Sequence, residues 1–367
     1  MKVMLVFGTR PEAIKMCPLV LELKKRPEIE TLVCTTGQHK ELLAQVMEIF
    51  KVKADYDLSI MAKQQTLSHI TTAVLEGLQP VLQQEQPDIV LVHGDTTTSF
   101  AAALAAFYQK IPVGHVEAGL RTYNKYSPFP EEMNRTLVGK IASWHFAPTE
   151  GNRLALEKEG VTENVFVTGN TVIDCFATTV KENYVFHNSL LNSLPADKKI
   201  ITMTAHRREN WGEGIANICT AVNNLCAEFP DVLFVYPVHL NPVVKDRVTA
   251  ALGNNPQVML TSPLDVEDMH NLMDRSYFVL TDSGGLQEEA PHLGKPVVVL
   301  RKETERPEAV QAGTAIVAGT DPDNIEKICT KLFTDKKFYS SMAEAINPYG
   351  DGTASKQIAD IIIANMK

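Results

Sequence analysis

Three carboxylic acids follow predicted β-strands in the first half of the chain, where they could transfer protons. Asp95 comes shortly after the apolar run 89–93, and Glu117 comes directly after the run 113–116. Glu131 opens a predicted helix a little further along the chain. Carboxylates that lie close together repel, which raises at least one pKa and can supply an acid and a base near neutral pH. We therefore predict acid–base chemistry here, with capping of the next helix as the alternative role of Asp95.

A glycine-containing turn in the second half has the features of a phosphate site. Ser283-Gly284-Gly285 follows the apolar run Tyr277–Leu280 and precedes a predicted helix that begins at Leu286. Glycine lets the backbone approach a ligand closely, and free N–H groups at a helix start favour anions. We predict that this turn holds phosphates, with an ordinary tight turn as the alternative.

Basic side chains stand at comparable positions after other strands. Arg10 and Lys15 follow the first strand and could contact phosphate, or they could be solvated surface charges. His206 and Arg306 follow strands of the second half. His206 could bind phosphate or transfer a proton, although a lone histidine is more often structural. The first turn lacks the G-x-G-x-x-G fingerprint, which argues against a tightly bound dinucleotide.

These residues require strands and helices that alternate along the chain. Unbroken apolar strands are typical of a parallel sheet covered on both faces, so we predict an α/β fold with two doubly wound, Rossmann-like halves. The predicted helices in the first half include 13–25, 40–50, 66–84 and 98–109. The predicted strands are 3–7, 31–36, 89–93, 113–116, 144–147 and 165–167, then 200–204, 232–236, 258–260, 277–281, 297–300 and 315–317.

The two halves are expected to form separate domains. We predict a first domain over residues 1–170, a second over 171–351, and a C-terminal helix at about 352–367 that packs back on the first. Residues 181–198 are polar and end in Leu194-Pro195-Ala196-Asp197, which predicts a linker. In such sheets ligands bind beyond the carboxyl ends of the strands, so a cleft between the halves is the expected site.

Composition excludes several other classes of protein. The chain has 367 residues, 44% of them hydrophobic, and a net charge of −9 without a block of basic residues, so nucleic acid is not an expected partner. No apolar run approaches the roughly 18 residues of a membrane helix. Six scattered cysteines without a metal-binding pattern indicate reduced thiols. We expect a soluble cytoplasmic protein without a metal.

Taken together, the motifs resemble those of the non-hydrolysing UDP-N-acetylglucosamine 2-epimerases. They occur in order through almost the whole chain. The matching stretches are Gly8-Thr9-Arg10-Pro11-Glu12, His93-Gly94-Asp95-Thr96, His115-Val116-Glu117-Ala118-Gly119-Leu120-Arg121, Pro130-Glu131-Glu132, Asn134-Arg135, Thr204-Ala205-His206-Arg207-Arg208-Glu209-Asn210, Asp282-Ser283-Gly284-Gly285 and Glu303-Thr304-Glu305-Arg306-Pro307-Glu308.

The resemblance implies a GT-B fold, a homodimer, no cofactor and specific roles for named residues. The implied catalytic residues are Asp95, Glu117, Glu131 and His206. The implied UDP-binding residues are Arg10, Lys15, Met269, Ser283, Gly284, Gly285, Glu289 and Arg306. Met269 departs from the aromatic residue that many members place against uracil. A second UDP-N-acetylglucosamine, acting as an activator, would contact Gln38, His39, Gln65, Glu131, Arg207 and His239.

The implied reaction is reversible inversion at C2 of UDP-N-acetylglucosamine, giving UDP-N-acetylmannosamine for envelope polysaccharide synthesis. It would proceed by loss and re-addition of UDP through 2-acetamidoglucal. Three alternatives remain open at this stage: a GT-B glycosyltransferase, a hydrolysing 2-epimerase and a non-catalytic nucleotide-sugar sensor. Which acid serves which face of C2, and which polymer receives the product, do not follow from the sequence.

Overall fold

The computed structural model describes residues 1–37, 40–62 and 65–365, and the chain divides into two compact units. The first unit comprises Met1–Thr178 together with Tyr349–Lys367, and the second comprises Thr179–Pro348. The division therefore falls after Thr178 rather than after residue 170. Residues 171–178 pack with the first unit, where the Cys175 thiol lies 2.8 Å from the carbonyl oxygen of Ile14.

A parallel sheet forms the centre of the first unit, with seven strands among its described residues. Its order is β3-β2-β1-β4-β5-β6-β7, so the chain starts in the middle and winds outwards in both directions. The two-residue β3 was not predicted, because so short a strand has no recognisable pattern. The strands are β1 (Lys2–Phe7), β2 (Glu30–Thr35), β3 (Tyr56–Asp57), β4 (Ile89–His93), β5 (Val113–Val116), β6 (Trp144–Ala147) and β7 (Val165–Val167).

A second parallel sheet forms the centre of the second unit. Its order is β10-β9-β8-β11-β12-β13, again with the first strand of the unit in the interior of the sheet. Every strand predicted from the sequence is present, with small differences at the ends. The strands are β8 (Lys199–Thr204), β9 (Val232–Pro237), β10 (Val258–Thr261), β11 (Ser276–Thr281), β12 (Val297–Val299) and β13 (Ala315–Val317). The predicted α/β class with two doubly wound sheets is confirmed.

Helices connect the strands in both units. Short 3-10 segments occur at Ser189–Ser193, Arg208–Asn210 and Ala290–Leu293. The α-helices are α1 (Arg10–Lys24), α2 (Lys40–Ile49), α3 (Leu67–Glu85), α4 (Thr97–Tyr108), α5 (Glu131–Ile141), α6 (Glu150–Lys158), α7 (Thr171–Asp174), α8 (Phe176–Thr179), α9 (Glu213–Glu228), α10 (Pro242–Leu252), α11 (Val266–Arg275), α12 (Gly284–Glu289), α13 (Pro307–Gln311), α14 (Pro322–Thr334), α15 (Lys336–Ala343) and α16 (Ala354–Asn365).

The start of α1 is fixed by a capping box. The Thr9 hydroxyl accepts a hydrogen bond from the Glu12 amide, and the Glu12 carboxylate accepts one from the Thr9 amide. Pro11 occupies the first turn, where its missing N–H costs nothing. The helix therefore begins at Arg10, one turn before the predicted start at Ala13.

The C-terminal helix belongs to the apolar core of the first unit. Ile358, Ala359 and Ile362 of α16 are fully buried in the cluster that also contains Leu19 and Leu23 of α1. Asp360 of α16 forms an ion pair at 3.0 Å with Arg26, just beyond the end of α1. This packing attaches the end of the chain to the unit that contains its beginning.

The prediction of a linker at residues 181–198 is wrong. Tyr184, Phe186 and Leu191 are buried in a small apolar cluster of the second unit. The buried Asp268 of α11 accepts hydrogen bonds from the amides of His187 and Asn188, at 2.9 Å each. A side chain of α11 therefore satisfies backbone amides of this segment, and the segment is an integral part of the second unit.

None of the helices among the described residues is both long and apolar enough to cross a membrane.

Candidate active site

Three neighbouring strands of the first unit lead into segments with predicted site residues at their carboxyl ends. Strand β4 lies between β1 and β5 in the sheet. The chain leaves β1 into the start of α1, leaves β4 into Gly94-Asp95, and leaves β5 into Glu117. Parallel strands end at the same edge, so these segments are neighbours, as the sequence predicted.

Glu117 is buried and occupies an unusual backbone conformation. Its φ is +63°, in a region that residues other than glycine rarely adopt and that is found at functional sites. The Lys15 ammonium forms an ion pair with Oε2 of Glu117. Nε2 of His93 lies 3.0 Å from the same oxygen, and the Asn170 amide donates to it at 3.4 Å. Three polar groups from different elements thus converge on one carboxylate oxygen.

The surroundings of Glu117 determine its charge. Burial alone would raise the pKa of Glu117, but the Lys15 ammonium and His93 outweigh burial and hold this pKa well below its usual range. Glu117 is therefore a carboxylate at neutral pH. The prediction that mutual repulsion raises a pKa in this group is wrong for Glu117, because its nearest charged partner is a cation.

Asp95 is likewise paired with a cation. Its carboxylate accepts a hydrogen bond from the Arg135 guanidinium at 2.6 Å, and its carbonyl accepts one from the Asn134 side chain at 2.9 Å. The hydroxyl that caps α4 is that of Thr96, which accepts a hydrogen bond from the Ser99 amide at 3.0 Å. The alternative in which Asp95 caps the helix is therefore wrong, and its carboxylate is available for another role.

Glu131 and Glu132 open α5 but have different surroundings. Glu131 is partly exposed, and its predicted position at the start of a helix is confirmed. Glu132 is buried and accepts hydrogen bonds from the amides of Thr122 at 3.0 Å and Tyr123 at 2.8 Å. Glu132 thus fixes the preceding loop, a role that was not predicted from its sequence position.

His115 supports the turn that presents Asp95. It is fully buried, and its Nε2 lies 2.7 Å from the carbonyl oxygen of Gly94, whose φ is +62°. Burial lowers the pKa of His115 to about 3, so the ring is neutral and Nε2–H donates to the carbonyl. His115 belongs to one of the matching motifs, but this role was not predicted from the sequence.

Glu12 joins the start of α1 to the start of α4. One carboxylate oxygen accepts from the amides of Gly8 at 3.0 Å and Thr9 at 2.8 Å. The other accepts from the hydroxyls of Thr96 at 2.7 Å and Ser99 at 2.9 Å. Glu12 is only 1% exposed, so its removal would leave the buried amides of Gly8 and Thr9 without this acceptor.

We expect Glu12→Ala to lower the free energy of unfolding of the protein by about 3 kcal/mol, because buried donors to a charged acceptor become unsatisfied. Urea unfolding followed by circular dichroism measures this difference. Glu28→Ala, at an exposed position between α1 and β2, is the matched control and should change the stability little. Equal stability of the two variants would contradict the structural role of Glu12.

In the second unit, two arginines approach the predicted phosphate turn. Ser283-Gly284-Gly285 links β11 to α12, as predicted. A Cβ atom on Gly284 would lie 3.8 Å from Nη2 of Arg207 and 3.9 Å from Cζ of Arg306. A Cβ atom on Gly285 would lie 2.9 Å from Oε1 of Glu289, closer than real Cβ contacts. The glycines therefore leave room for these side chains beside the backbone N–H groups of the turn.

Polar partners hold the side chains of Arg306 and Glu289 around this turn. The Arg306 guanidinium forms an ion pair with the buried Glu288, and the Arg306 amide donates to the Thr304 hydroxyl at 3.0 Å. Oε2 of Glu289 lies 3.3 Å from Nε2 of the buried His270, whose Nδ1 lies 2.7 Å from the Thr179 hydroxyl. Arg306 and Glu289 are thus oriented by partners that were not identified in the sequence.

His206 lies at the end of β8 beside Asp282, which follows the adjacent strand β11. Nδ1 of His206 is 3.3 Å from Oδ1 of Asp282. The ring of His239 stacks on that of His206, with centroids 5.7 Å apart and an interplanar angle of 9°. Burial lowers the pKa of His206, whereas the Asp282 carboxylate acts in the opposite direction.

The remaining predicted residues are distributed between the units. Arg10 is exposed at the start of α1, and Gln65 is partly exposed in the first unit. Met269 is partly exposed on α11, and His239 is exposed after β9. Gln38 and His39, predicted to contact an activator, lie outside the described residues.

One group of side chains among the described residues has the spacing of metal ligands, namely His187, Asp265 and Asp268. Each of them already has a structural role. Asp265 caps α11 and pairs with His187 at 2.7 Å, and Asp268 accepts the two backbone amides of the preceding segment. This group accounts for local structure without an ion. Each of the six cysteines is buried, and none of them forms a disulfide.

Comparison with known proteins identifies the family. The family model described as UDP-N-acetylglucosamine 2-epimerase matches residues 21–363. The UDP-N-acetylglucosamine 2-epimerase of Bacillus subtilis (strain 168) is 55% identical over 364 residues, covering 99% of this chain and 95% of its own. The enzyme of the same name from Escherichia coli (strain K12) is 51% identical over 373 residues, covering 100% and 99%.

A solved structure extends the match to three dimensions. The UDP-GlcNAc 2-epimerase of Neisseria meningitidis, whose crystal structure contains bound UDP-GlcNAc, superimposes with a TM-score of 0.89 at 50% identity over the full length of both chains. The GT-B class that the resemblance implied is thereby confirmed. Since the family model and these relatives cover nearly all of the sequence, the chain belongs to the UDP-N-acetylglucosamine 2-epimerase family.

Proposed function

We propose that the protein interconverts UDP-N-acetylglucosamine and UDP-N-acetylmannosamine by inverting C2, without net hydrolysis. The observation that supports this most directly is the buried Glu117 carboxylate, kept charged by Lys15 and His93 at the edge of the first sheet. A buried carboxylate with a fixed position is suited to take a proton from carbon.

The chemistry explains why a leaving-group site is needed for an inversion at C2. The hydrogen on C2 has no adjacent carbonyl, so its direct removal would be very slow. When the bond between C1 and the diphosphate oxygen breaks, UDP leaves with the electron pair and an oxocarbenium-like centre forms. The C2 proton then becomes acidic, and its loss gives 2-acetamidoglucal. Re-addition of UDP, with a proton delivered to the opposite face of C2, completes the inversion.

The two units have different tasks in this proposal. In the second unit, the Ser283-Gly284-Gly285 turn and Arg306 bind the diphosphate and stabilise the charge that develops on it. Glu289 accepts hydrogen bonds from the ribose hydroxyls, and Met269 contacts uracil. In the first unit, Glu117 is assigned as a base, and Asp95 and Glu131 complete the proton transfers. Arg10 and Lys15 are assigned to the phosphates, and His206 to the departing diphosphate.

A time course with the sugar nucleotide alone tests the proposal. We expect proton NMR to show UDP-N-acetylglucosamine equilibrating with UDP-N-acetylmannosamine, without net release of UDP. In deuterated water, deuterium should enter C2 of both sugars. Absence of deuterium from C2 would rule out proton transfer at this carbon.

The same time course separates the alternatives. A hydrolysing 2-epimerase would release N-acetylmannosamine and UDP, and a glycosyltransferase would leave the sugar unchanged at C2 without an acceptor. A non-catalytic sensor would bind the nucleotide-sugar without converting it, and it would not need the ion pairs that hold Asp95 and Glu117. We further propose a homodimer, activation by a second UDP-N-acetylglucosamine, and supply of envelope polysaccharide synthesis, as the family resemblance implies.

A further inference from the structure

Asp282 is a fully buried carboxylate whose two oxygens have different surroundings. Oδ2 accepts hydrogen bonds from the amides of His206 and Arg207, at 2.8 Å each, and from the Asn210 side chain at 3.0 Å. These three donors fix the plane of the carboxylate. Oδ1 makes no such bond among the described residues and lies 3.3 Å from Nδ1 of His206. The carboxylate is therefore held in place by its backbone contacts and faces the imidazole with its second oxygen.

The sheet itself creates this pairing. Strands β8 and β11 are neighbours, with Thr204 opposite Thr281, and the Asp282 amide donates to the Thr204 carbonyl at 3.1 Å. Asp282 also directly precedes the Ser283-Gly284-Gly285 turn. The residue that faces His206 is therefore joined by one peptide bond to the turn assigned to the diphosphate.

We propose that Asp282 is a positioning residue for His206, holding the imidazole with Nδ1–H towards the carboxylate and Nε2 at the free edge of the ring. His206 then exchanges a proton with the leaving diphosphate through Nε2. This inference rests on the proposed function for its last step, whereas the pairing of Asp282 with His206 does not depend on it. Carboxylates fix the tautomer and orientation of catalytic histidines in the same way in unrelated enzymes.

The proton and the electron pair are accounted for in both elimination and re-addition of the diphosphate. On elimination, the C1–O bond breaks with its electron pair going to the diphosphate oxygen, and protonated His206 gives the Nε2 proton to that oxygen. On re-addition, the diphosphate oxygen forms the bond to C1 and its proton returns to Nε2. Asp282 remains a carboxylate throughout, and no further reactant is required.

The charged and titratable groups that face His206 among the described residues are Asp282, Arg207 and His239. Burial lowers the pKa of His206 most, and Arg207 and His239 lower it further, so Asp282 is the group that favours the imidazolium. Removing the charge of Asp282 should therefore make His206 harder to protonate. A lower pKa of His206 in such a variant would therefore distinguish an electrostatic role of Asp282 from one that only supports the backbone.

Asp282→Asn keeps the size of the side chain and an oxygen for the three donors. We expect the pKa of His206 to fall by about one pH unit, because an opposite charge has been removed. The alkaline limb of the kcat–pH profile should move to lower pH, and kcat should fall at least about 10-fold at pH 7 with a smaller change in KM. Asp231→Asn, an exposed acid of the same unit, is the matched control.

NMR of the full-length protein with ¹⁵N-labelled histidine tests the pairing without turnover, and His206→Gln assigns the resonance. The neutral ring should carry its proton on Nδ1 in the wild type, and its pKa should be lower in Asp282→Asn than in the Asp231→Asn control. A wild-type ring protonated on Nε2, or an unchanged pKa in the variant, would overturn the inference. If Asp282→Asn does not fold, the tautomer of His206 in the wild type is by itself the test of the inference. An Nδ1–H tautomer in a protein that does not epimerise would refute only the proposed function.

Discussion

Replacing Glu117 by glutamine should reduce turnover at least about 100-fold, because the group assigned to take the C2 proton loses its basicity. Glutamine has nearly the same shape and can still accept from Lys15 and Asn170 beside His93, so the loss reflects chemistry rather than a missing contact. UDP affinity, measured by calorimetry, should be unchanged. Turnover is measured by the NMR time course with UDP-N-acetylglucosamine, and deuterium exchange at C2 should fall in parallel.

The control for Glu117→Gln is Glu150→Gln, which makes the same chemical change at an exposed acid on α6 of the same unit. The control should keep wild-type turnover, and thermal melts of both variants verify that they are folded. A Glu117→Gln enzyme that is folded and works near the wild-type rate would remove Glu117 from the mechanism. Loss of UDP affinity together with turnover would instead assign Glu117 to substrate binding.

Replacing Lys15 by methionine should make the enzyme markedly more sensitive to acid. Without the ammonium, burial dominates the surroundings of Glu117 and the pKa of Glu117 rises. Because the base acts only when deprotonated, the acid limb of the kcat–pH profile should move upwards by about 1–3 pH units. Profiles of kcat and KM between pH 5 and about 9, where histidine and perturbed carboxylates titrate, measure this shift.

The Lys15 variant also separates two roles for one side chain. If Lys15 acts only on the phosphates, UDP affinity falls and the acid limb of kcat stays in place. If Lys15 acts only through Glu117, the limb moves and UDP affinity is kept. Lys24→Met, at an exposed position near the end of the same helix, is the control and should change neither quantity.

The same ion pair links stability to pH. The folded-state pKa of Glu117 is depressed, so its contribution to stability is fully present above the ordinary glutamate pKa and is lost as pH falls through the folded value. Lys15→Met should lose most of this contribution, so acid unfolding of the variant should begin at higher pH than that of the wild type.

Individual residues show which parts of the candidate site could be predicted from the sequence. Asp95, Glu117 and the Ser283-Gly284-Gly285 turn were predicted at strand ends because a buried strand followed by polar or glycine residues is a local pattern. The capping alternative for Asp95 could not be resolved from sequence, because the adjacent Thr96 is also a favourable cap and only the geometry selects it. No sequence pattern could have predicted the role of Asn170, since its contact with Glu117 joins positions 53 residues apart.

The sequence by itself determined the order of strands and helices, the parallel sheets and the stretches that carry chemistry. These depend on periodicity, glycine and proline, which act over a few residues. The tertiary structure decided the charge of Glu117, because this charge results from a balance between burial and the neighbouring Lys15 ammonium and His93 ring on other elements. It also decided that residues 181–198 pack against α11, because Asp268, which accepts the amides of His187 and Asn188, is distant from them in the chain.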